Sequence, residues 1–445
     1  MRGGLWDSRP ARGRFVRGFV VANVWSNPLW TQTRPRAAGP MTRGPECVTR
    51  SSSNASPAKA HAPGTFTTAP ASSQRKVAIS SSSASAILTS DTPPAIVEAA
   101  YDSLKRGRTH YTSMVGIEPL REAIAERHRR ITGRRVDAGA VVVMAGAQCG
   151  LFASMMCLAQ PGDEVIVPEP MYVTYEAVVG ASGARLVQVP LRCERGFHID
   201  PDDVAAAITP RTRVILMNFP HNPTGAMITH DQLRAWVEYA LSINAIILYD
   251  VAYAAYISDE SLPKTIYEID GARRCAIEFH SFSKNGGFTG VRCGYTVCPK
   301  DVQAVTRKGV QVALHGLWTR RWNTKSNGVS YPVQRGAEAI YSTQGATQVS
   351  ALVKHYLRNA RLLREGCEAA GLTVYGGVHS PYVWVACPGG MDSWGVFDRL
   401  LNDAQIVTTP GVGFGSCGEG YFRISAFNSR ENTKAAVERL RNVSW

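Results

Sequence analysis

The sequence predicts an α/β protein: a large domain with a mainly parallel sheet covered by helices, followed by a smaller α+β domain at the C-terminus. Three observations carry this. Short, near-continuous apolar runs alternate with helical patterns between about 141 and 314. Such runs are the mark of parallel strands buried on both faces. The rhythm changes after about residue 350, where one long helical pattern precedes shorter mixed elements. Finally, 445 residues with 44% hydrophobic content exceed one ordinary domain and can build a substantial core.

Taken in order, residues 1–76 are rich in Arg, Ser, Ala, Pro and Thr and show no sustained periodicity. They read as a disordered basic tail, with a composition also like that of a transit peptide or of a stretch preceding the true start. A segment over 77–106 is expected to pack on the small domain, with a large domain over 107–335 and the small one over 336–445. Amphipathic helices are expected over Pro94–Ser103 and Gly116–Ile131, the second from its Leu120, Ile124 and His128 spacing. Strands are expected at Val141–Met144, Glu164–Val167, Arg185–Val189, Val214–Asn218, Ala245–Tyr249, Cys275–Phe279 and Gly294–Cys298. Helices should intervene near 148–159, 172–182, 229–243 and 301–314. In the C-terminal part the pattern predicts helices at His355–Ala370, Trp394–Asp403 and from Glu431, with strands at Leu372–Tyr375, Tyr382–Ala386, Ile406–Thr408 and Tyr421–Ala426.

Charge and composition exclude several classes. The net charge of +14 looks like that of a nucleic-acid binder, but residues 1–76 hold twelve Lys/Arg against two acids and supply +10 of it. No nucleic-acid partner is therefore expected. No apolar run approaches the length of a membrane span, so no membrane partner is expected either, and the default compartment is the cytoplasm, or an organelle if the tail is a transit peptide. Ten cysteines, scattered without a CxxC pair or a zinc-like Cys/His spacing, fit a reducing compartment and no metal; Cys157 and Cys387, in apolar runs, read as buried free thiols.

Four motifs carry chemistry. Ser281-Phe282-Ser283-Lys284 places an amine after small polar residues at a strand end, with Arg292 eight positions on. Burial would lower the lysine pKa and free its lone pair, while Arg292 and the two hydroxyls suit a phosphate. The bland alternative is a surface lysine in a turn, since Gly286 and Gly287 follow. Asn218-Phe219-Pro220-His221-Asn222-Pro223-Thr224-Gly225 forms a rigid loop at a sheet's carboxyl edge, where α/β proteins bind ligands. Asp250 ends a strand with Tyr253 three residues on; a buried carboxylate there can keep a pyridine nitrogen protonated, or simply cap a helix. Gly146-Ala147-Gln148 opens a helix after a strand, a phosphate cradle without a dinucleotide fingerprint.

In this order, and with Tyr172 and a distant Arg423, these elements resemble the class I/II aminotransferases of pyridoxal-phosphate fold type I, over roughly residues 92 to 442. The resemblance implies pyridoxal 5'-phosphate held covalently by Lys284, and ping-pong transfer of an amino group from an L-amino acid to a 2-oxo acid. It implies that Tyr172 stacks on the cofactor ring, Asn222 and Tyr253 bind its phenolic oxygen, and Asp250 pairs with its ring nitrogen. Ser281, Ser283, Arg292 and the Gly146–Gln148 turn (Gly146, Ala147, Gln148) would hold the phosphate. Arg423 would grip the substrate carboxylate, with Asn222 and Asn327 nearby, and Tyr111 would reach the phosphate across a homodimer. Lys284, Asp250 and Tyr253 are the expected catalytic residues.

The second half, with Asp250–Ser258, Pro263–Glu268, Phe288–Arg292, Ser380–Val385 and Val407–Gly411, is similar to LL-diaminopimelate aminotransferases. The first half, with Thr109-His110-Tyr111 and Glu169–Glu176, is similar to arginine:pyruvate transaminases. Two departures stand out: Gln148 where diaminopimelate enzymes place a lysine, and the serine-rich Ile79–Ala86 where an LxxGxPDF segment is expected. Other fates for the same cofactor are C–S lysis and binding without turnover. A regulator would need an N-terminal helix-turn-helix, for which residues 1–76 lack periodicity.

Overall fold

The computed structural model describes residues 88–445 apart from Arg135 and Asp200. The expectations for residues 1–76 and for Ile79–Ala86 lie outside the described residues.

Seven strands build the main sheet: β1 (Val141–Met144), β2 (Glu164–Glu169), β3 (Arg185–Pro190), β4 (Thr212–Asn218), β5 (Ile246–Asp250), β6 (Ala276–Ser281) and β7 (Gly294–Val297). Their order across the sheet is β1-β7-β6-β5-β4-β2-β3. All are parallel except β7, which runs antiparallel to both its neighbours. Every residue of β1 and β5 is buried, which explains why these strands read as uninterrupted apolar runs. Covering helices follow local rules. Thr229 and Gln232 form a capping box at the start of His230–Ser242, whose Leu233, Trp236, Val237 and Ala240 face the core. Glu118–Thr132 buries Leu120, Ile124 and His128 as the spacing predicts, and stops at Gly133 with φ 67°.

The chain departs from expectation between 301 and 314. Instead of a helix it forms a hairpin, β8 (Gln303–Val305) and β9 (Gln311–Ala313), and the helix starts only at Leu314. Gly309 turns the hairpin with φ 75°, and the alternating Val310 and Val312 suit a strand rather than a helical stripe. The helices Leu314–Lys325 and Tyr331–Ala339 were not foreseen.

A second sheet, in the order β10-β11-β13-β12, comprises β10 (Val374–Gly376), β11 (Tyr382–Ala386), β12 (Thr409–Pro410) and β13 (Tyr421–Ser425). The strand expected at Ile406–Thr408 is this short Thr409–Pro410 pair, because only there does the chain meet β13. The long helix runs over Thr343–Ala369, twelve residues earlier than the expected start at His355. Val349, Val353 and Tyr356 extend its buried stripe, and Ser342 caps it through the Gly345 amide. Gly345 is needed there, since an added Cβ would lie 1.9 Å from the Ala339 carbonyl oxygen. Cys157 and Cys387 prove half-buried rather than buried. No helix among the described residues is long and apolar enough to cross a membrane.

Candidate active site

The carboxyl ends of β1, β4, β5 and β6 converge on one cavity of about 280 Å³. Ala147, Gln148, Tyr172, Asn222, Asp250, Tyr253, Ser281, Ser283, Lys284 and Arg292 all line it. Sheet register does much of the positioning, because Asn218 on β4 stands opposite Asp250 on β5. Asn218 Nδ2 donates to the Asp250 carbonyl at 2.9 Å, and Asn218 Oδ1 accepts from the Asn222 amide at 2.9 Å. The loop after β4 is thereby tied to the end of β5.

One end of the cavity is built for an anion. Gly146 takes φ 93° before the helix Ala147–Leu158, whose first amides lack intrahelical partners. A Cβ at Gly146 would sit 2.6 Å from Arg292 Nη2, so only glycine admits the guanidinium this close. Arg292 itself holds φ 63°, a left-handed conformation rare for a non-glycine residue, and its Nη1 donates to the Thr289 carbonyl at 2.9 Å and reaches Ser283 Oγ at 3.4 Å.

At the other end Asp250 is buried. Tyr175 Oη donates to its Oδ2 at 2.8 Å and the Ala252 amide to its Oδ1 at 3.1 Å. Burial still wins over these two bonds and pushes the carboxyl up to about 6. Burial, with the charges of Arg423 and Arg292 behind it, brings the Lys284 amine down to about 7. The lysine is thus no surface residue of a glycine turn. Its Nζ lies 5.2 Å from the Phe427 ring centre.

Arg423 enters from β13, paired across the sheet with Trp384 and Thr409. It is 5% exposed, and its Nη1 donates to Asn222 Oδ1 at 2.7 Å. The Tyr382 and Phe414 rings flank the guanidinium at 4.3 and 4.8 Å. Tyr382 also bonds Tyr253, Oη to Oη at 2.6 Å.

Tyr111 and Asn327 are not brought into this cavity. Tyr111 is 87% exposed, and both residues line a separate groove with His110 and Tyr331. Gln334 accepts from the Ile117 amide and donates to the Val329 carbonyl, stitching that groove's backbone. Sequence reasoning missed Tyr175, Asn218 and Tyr382 as site residues. Tyr175 lies three positions after Tyr172, near one helical turn, and that spacing was the available signal.

Comparison with known proteins shows the family. The aminotransferase class I and II family model matches residues 82–440. An LL-diaminopimelate aminotransferase of Prochlorococcus marinus (strain MIT 9303) is 46% identical over 339 residues, 73% of this chain and 81% of that protein. The L,L-diaminopimelate aminotransferase from Chlamydomonas reinhardtii superposes with a TM-score of 0.73 at 36% identity, covering 80% of this chain and 88% of that one. An aspartate aminotransferase from Thermus thermophilus, solved with maleate, gives 0.72 at 29% identity, over 81% and 90% of the two chains. The chain belongs to the class I and II aminotransferases and is a transaminase whose cofactor is pyridoxal 5'-phosphate.

Proposed function

We propose that this transaminase takes LL-diaminopimelate as amino donor and passes the amino group to a 2-oxo acid such as 2-oxoglutarate. The observation that carries this is the 46% identity to a diaminopimelate enzyme over 81% of its length, joined by a solved structure of the same activity.

The residues fit the cofactor at both ends. The Gly146–Gln148 turn, Ser281, Ser283 and Arg292 offer a phosphate cradle, and Asp250 offers a buried carboxylate to a ring nitrogen. Between them, Tyr172 would cover the ring face, and Asn222 and Tyr253 would reach its phenolic oxygen. When bound, the cofactor supplies an electron sink that makes the substrate's α-proton removable. Within that frame Lys284 Nζ takes the proton from the substrate Cα and returns it on the far side of the transfer. Arg423 orients the α-carboxylate in a bidentate fork, its geometry pre-set by Asn222 and by the Tyr382 and Phe414 rings. Tyr111, exposed in a groove apart from its own chain's cavity, would reach the phosphate of a second copy, so the working unit would be a homodimer, with Asn327 near the substrate.

An absorbance titration tests the donor. With LL-diaminopimelate the cofactor band should bleach to the aminated form. Bleaching by arginine, glutamate or alanine alone would overturn the assignment.

Two further results are expected of the site. Arg423→Lys replaces a fork by a point charge and loses a charge-assisted bond of about 2–3 kcal/mol, roughly 30- to 150-fold in kcat/KM for the donor. Steady-state kinetics check this, with the loss concentrated in KM. Cofactor capture by the apoenzyme requires a neutral Lys284 amine. Since that amine sits at about 7, the capture rate should rise with pH and level off above about 7. Stopped-flow absorbance reads the profile; a rate still climbing tenfold per unit at pH 9 would show an ordinary lysine.

A further inference from the structure

A second cavity, of about 520 Å³, lies behind the strand end that carries Lys284. One wall is the back of β6 and β7 and the residues after them: His280, Phe282 and Tyr295. The facing wall is the long helix, through Val349, Val353 and Leu357. Ser281 and Ala252 line both this cavity and the active-site one, whereas Arg423 belongs to neither lining.

Charge in this space is one-sided. Among the described residues, Arg127 and Lys354 are its charged lining residues, and no Asp or Glu joins them. Arg127 bonds the Tyr295 hydroxyl, yet its Nη1 is buried without a hydrogen-bond partner among the described residues. The carboxylates whose fields reach it are Glu278, which already accepts from Thr265, the Ile266 amide and His280, and Glu268, which accepts from the Lys264 and Thr265 amides. Asn285, directly after Lys284, has a buried Oδ1 with no partner among the described residues. A buried polar atom left unpaired costs about 1–3 kcal/mol, more when charged. The Arg127 Nη1 is a donor and the group that suits an anion; the Asn285 Oδ1 is an acceptor and would take a donor instead, so the guanidinium beside the Val349, Val353 and Leu357 wall is what marks a binding site.

We propose that this cavity is a second carboxylate site, taking a monocarboxylate with an apolar body. The carboxylate would engage Arg127, and the body would lie against Val349, Val353 and Leu357. A monoanion suits it better than a phosphate, because a doubly charged ligand would lose more hydration against these walls than one guanidinium edge returns.

The test is calorimetric titration of the cofactor-loaded enzyme with sodium octanoate, using octanamide as the neutral control. Wild type and Arg423→Lys should both bind octanoate, which separates this site from the substrate arginine. Arg127→Met should weaken binding at least tenfold, and Val353→Phe, which fills the apolar end and leaves the guanidinium in place, should do the same. Both variants should keep the cofactor absorbance band, so a failure here is distinct from a failure of the transaminase reading. Octanoate binding that is absent in wild type, equalled by octanamide, unchanged in both cavity variants, or lost with Arg423→Lys would overturn the proposal.

Discussion

Lys284→Ala is expected to abolish transamination, with kcat falling about 10⁴-fold or more, because in the proposed mechanism one residue supplies both the covalent hold on the cofactor and the proton transfer. General acid–base transfer alone contributes about 10²–10⁴-fold, and nucleophilic attachment adds to that. The structure supports an amine suited to both tasks. Burial and the charges of Arg423 and Arg292 bring it down to about 7, so a large neutral fraction exists at physiological pH. The lysine sits on a loop after β6 and lines the cavity rather than the core, so its removal should leave the fold intact. Purified Lys284→Ala should therefore show native circular dichroism and melting but no covalent cofactor band. A variant retaining more than about one hundredth of wild-type kcat would remove Lys284 from the chemistry.

Asp250→Asn should cost about 10³-fold in kcat while nearly preserving shape. In its proposed role the carboxylate's worth would lie in its charge, held in a dry site where an electrostatic partner acts most strongly. Asn keeps an acceptor for the Tyr175 hydroxyl, now at 2.8 Å from Oδ2, but offers no negative charge to a ring nitrogen. Burial raises the Asp250 carboxyl to about 6 when nothing cationic faces it. A protonated ring nitrogen would oppose that rise, so loading the cofactor should lower the acid limb of the pH–rate profile below 6. Kinetics of wild type and variant between pH 5 and 8 check both statements. An Asp250→Asn enzyme within tenfold of wild type would show that ring-nitrogen pairing is not what this carboxylate does.

Much of the fold was legible because its strands are buried on both faces. Apolar runs such as Val141–Met144 and Ile246–Asp250 need no tertiary knowledge to be read as strands. Legibility failed where local pattern is ambiguous. The Gln303–Ala313 hairpin is short, partly exposed and turned by one glycine, so its residues carry no strong period. The first turns of the long helix were missed because exposed residues dominate there, and the stripe beginning at Val349 identifies itself only once its packing partners are in place.

The sequence by itself supplied the residue types from which the candidate site is built. Lys284, Asp250, Asn222 and Arg292 stand in short motifs that each also admit a plain structural reading, and it is their order along the chain, with Arg423, that resembles one family. Tertiary structure decided what those motifs become together. Only the β4–β5 register sets Asn218 beside Asp250, only the second sheet carries Arg423 to Asn222, and only the folded chain shows Tyr175 and Tyr382 completing their networks. It also placed Tyr111 and Asn327 in a groove apart from the cavity of their own chain, and opened the space before Arg127. The reason is physical: residue type and neighbours along the chain specify what a side chain can do. Which partners it meets, and how much water they exclude, depends on elements distant in sequence, and burial of that kind sets the pKa of Lys284 and Asp250.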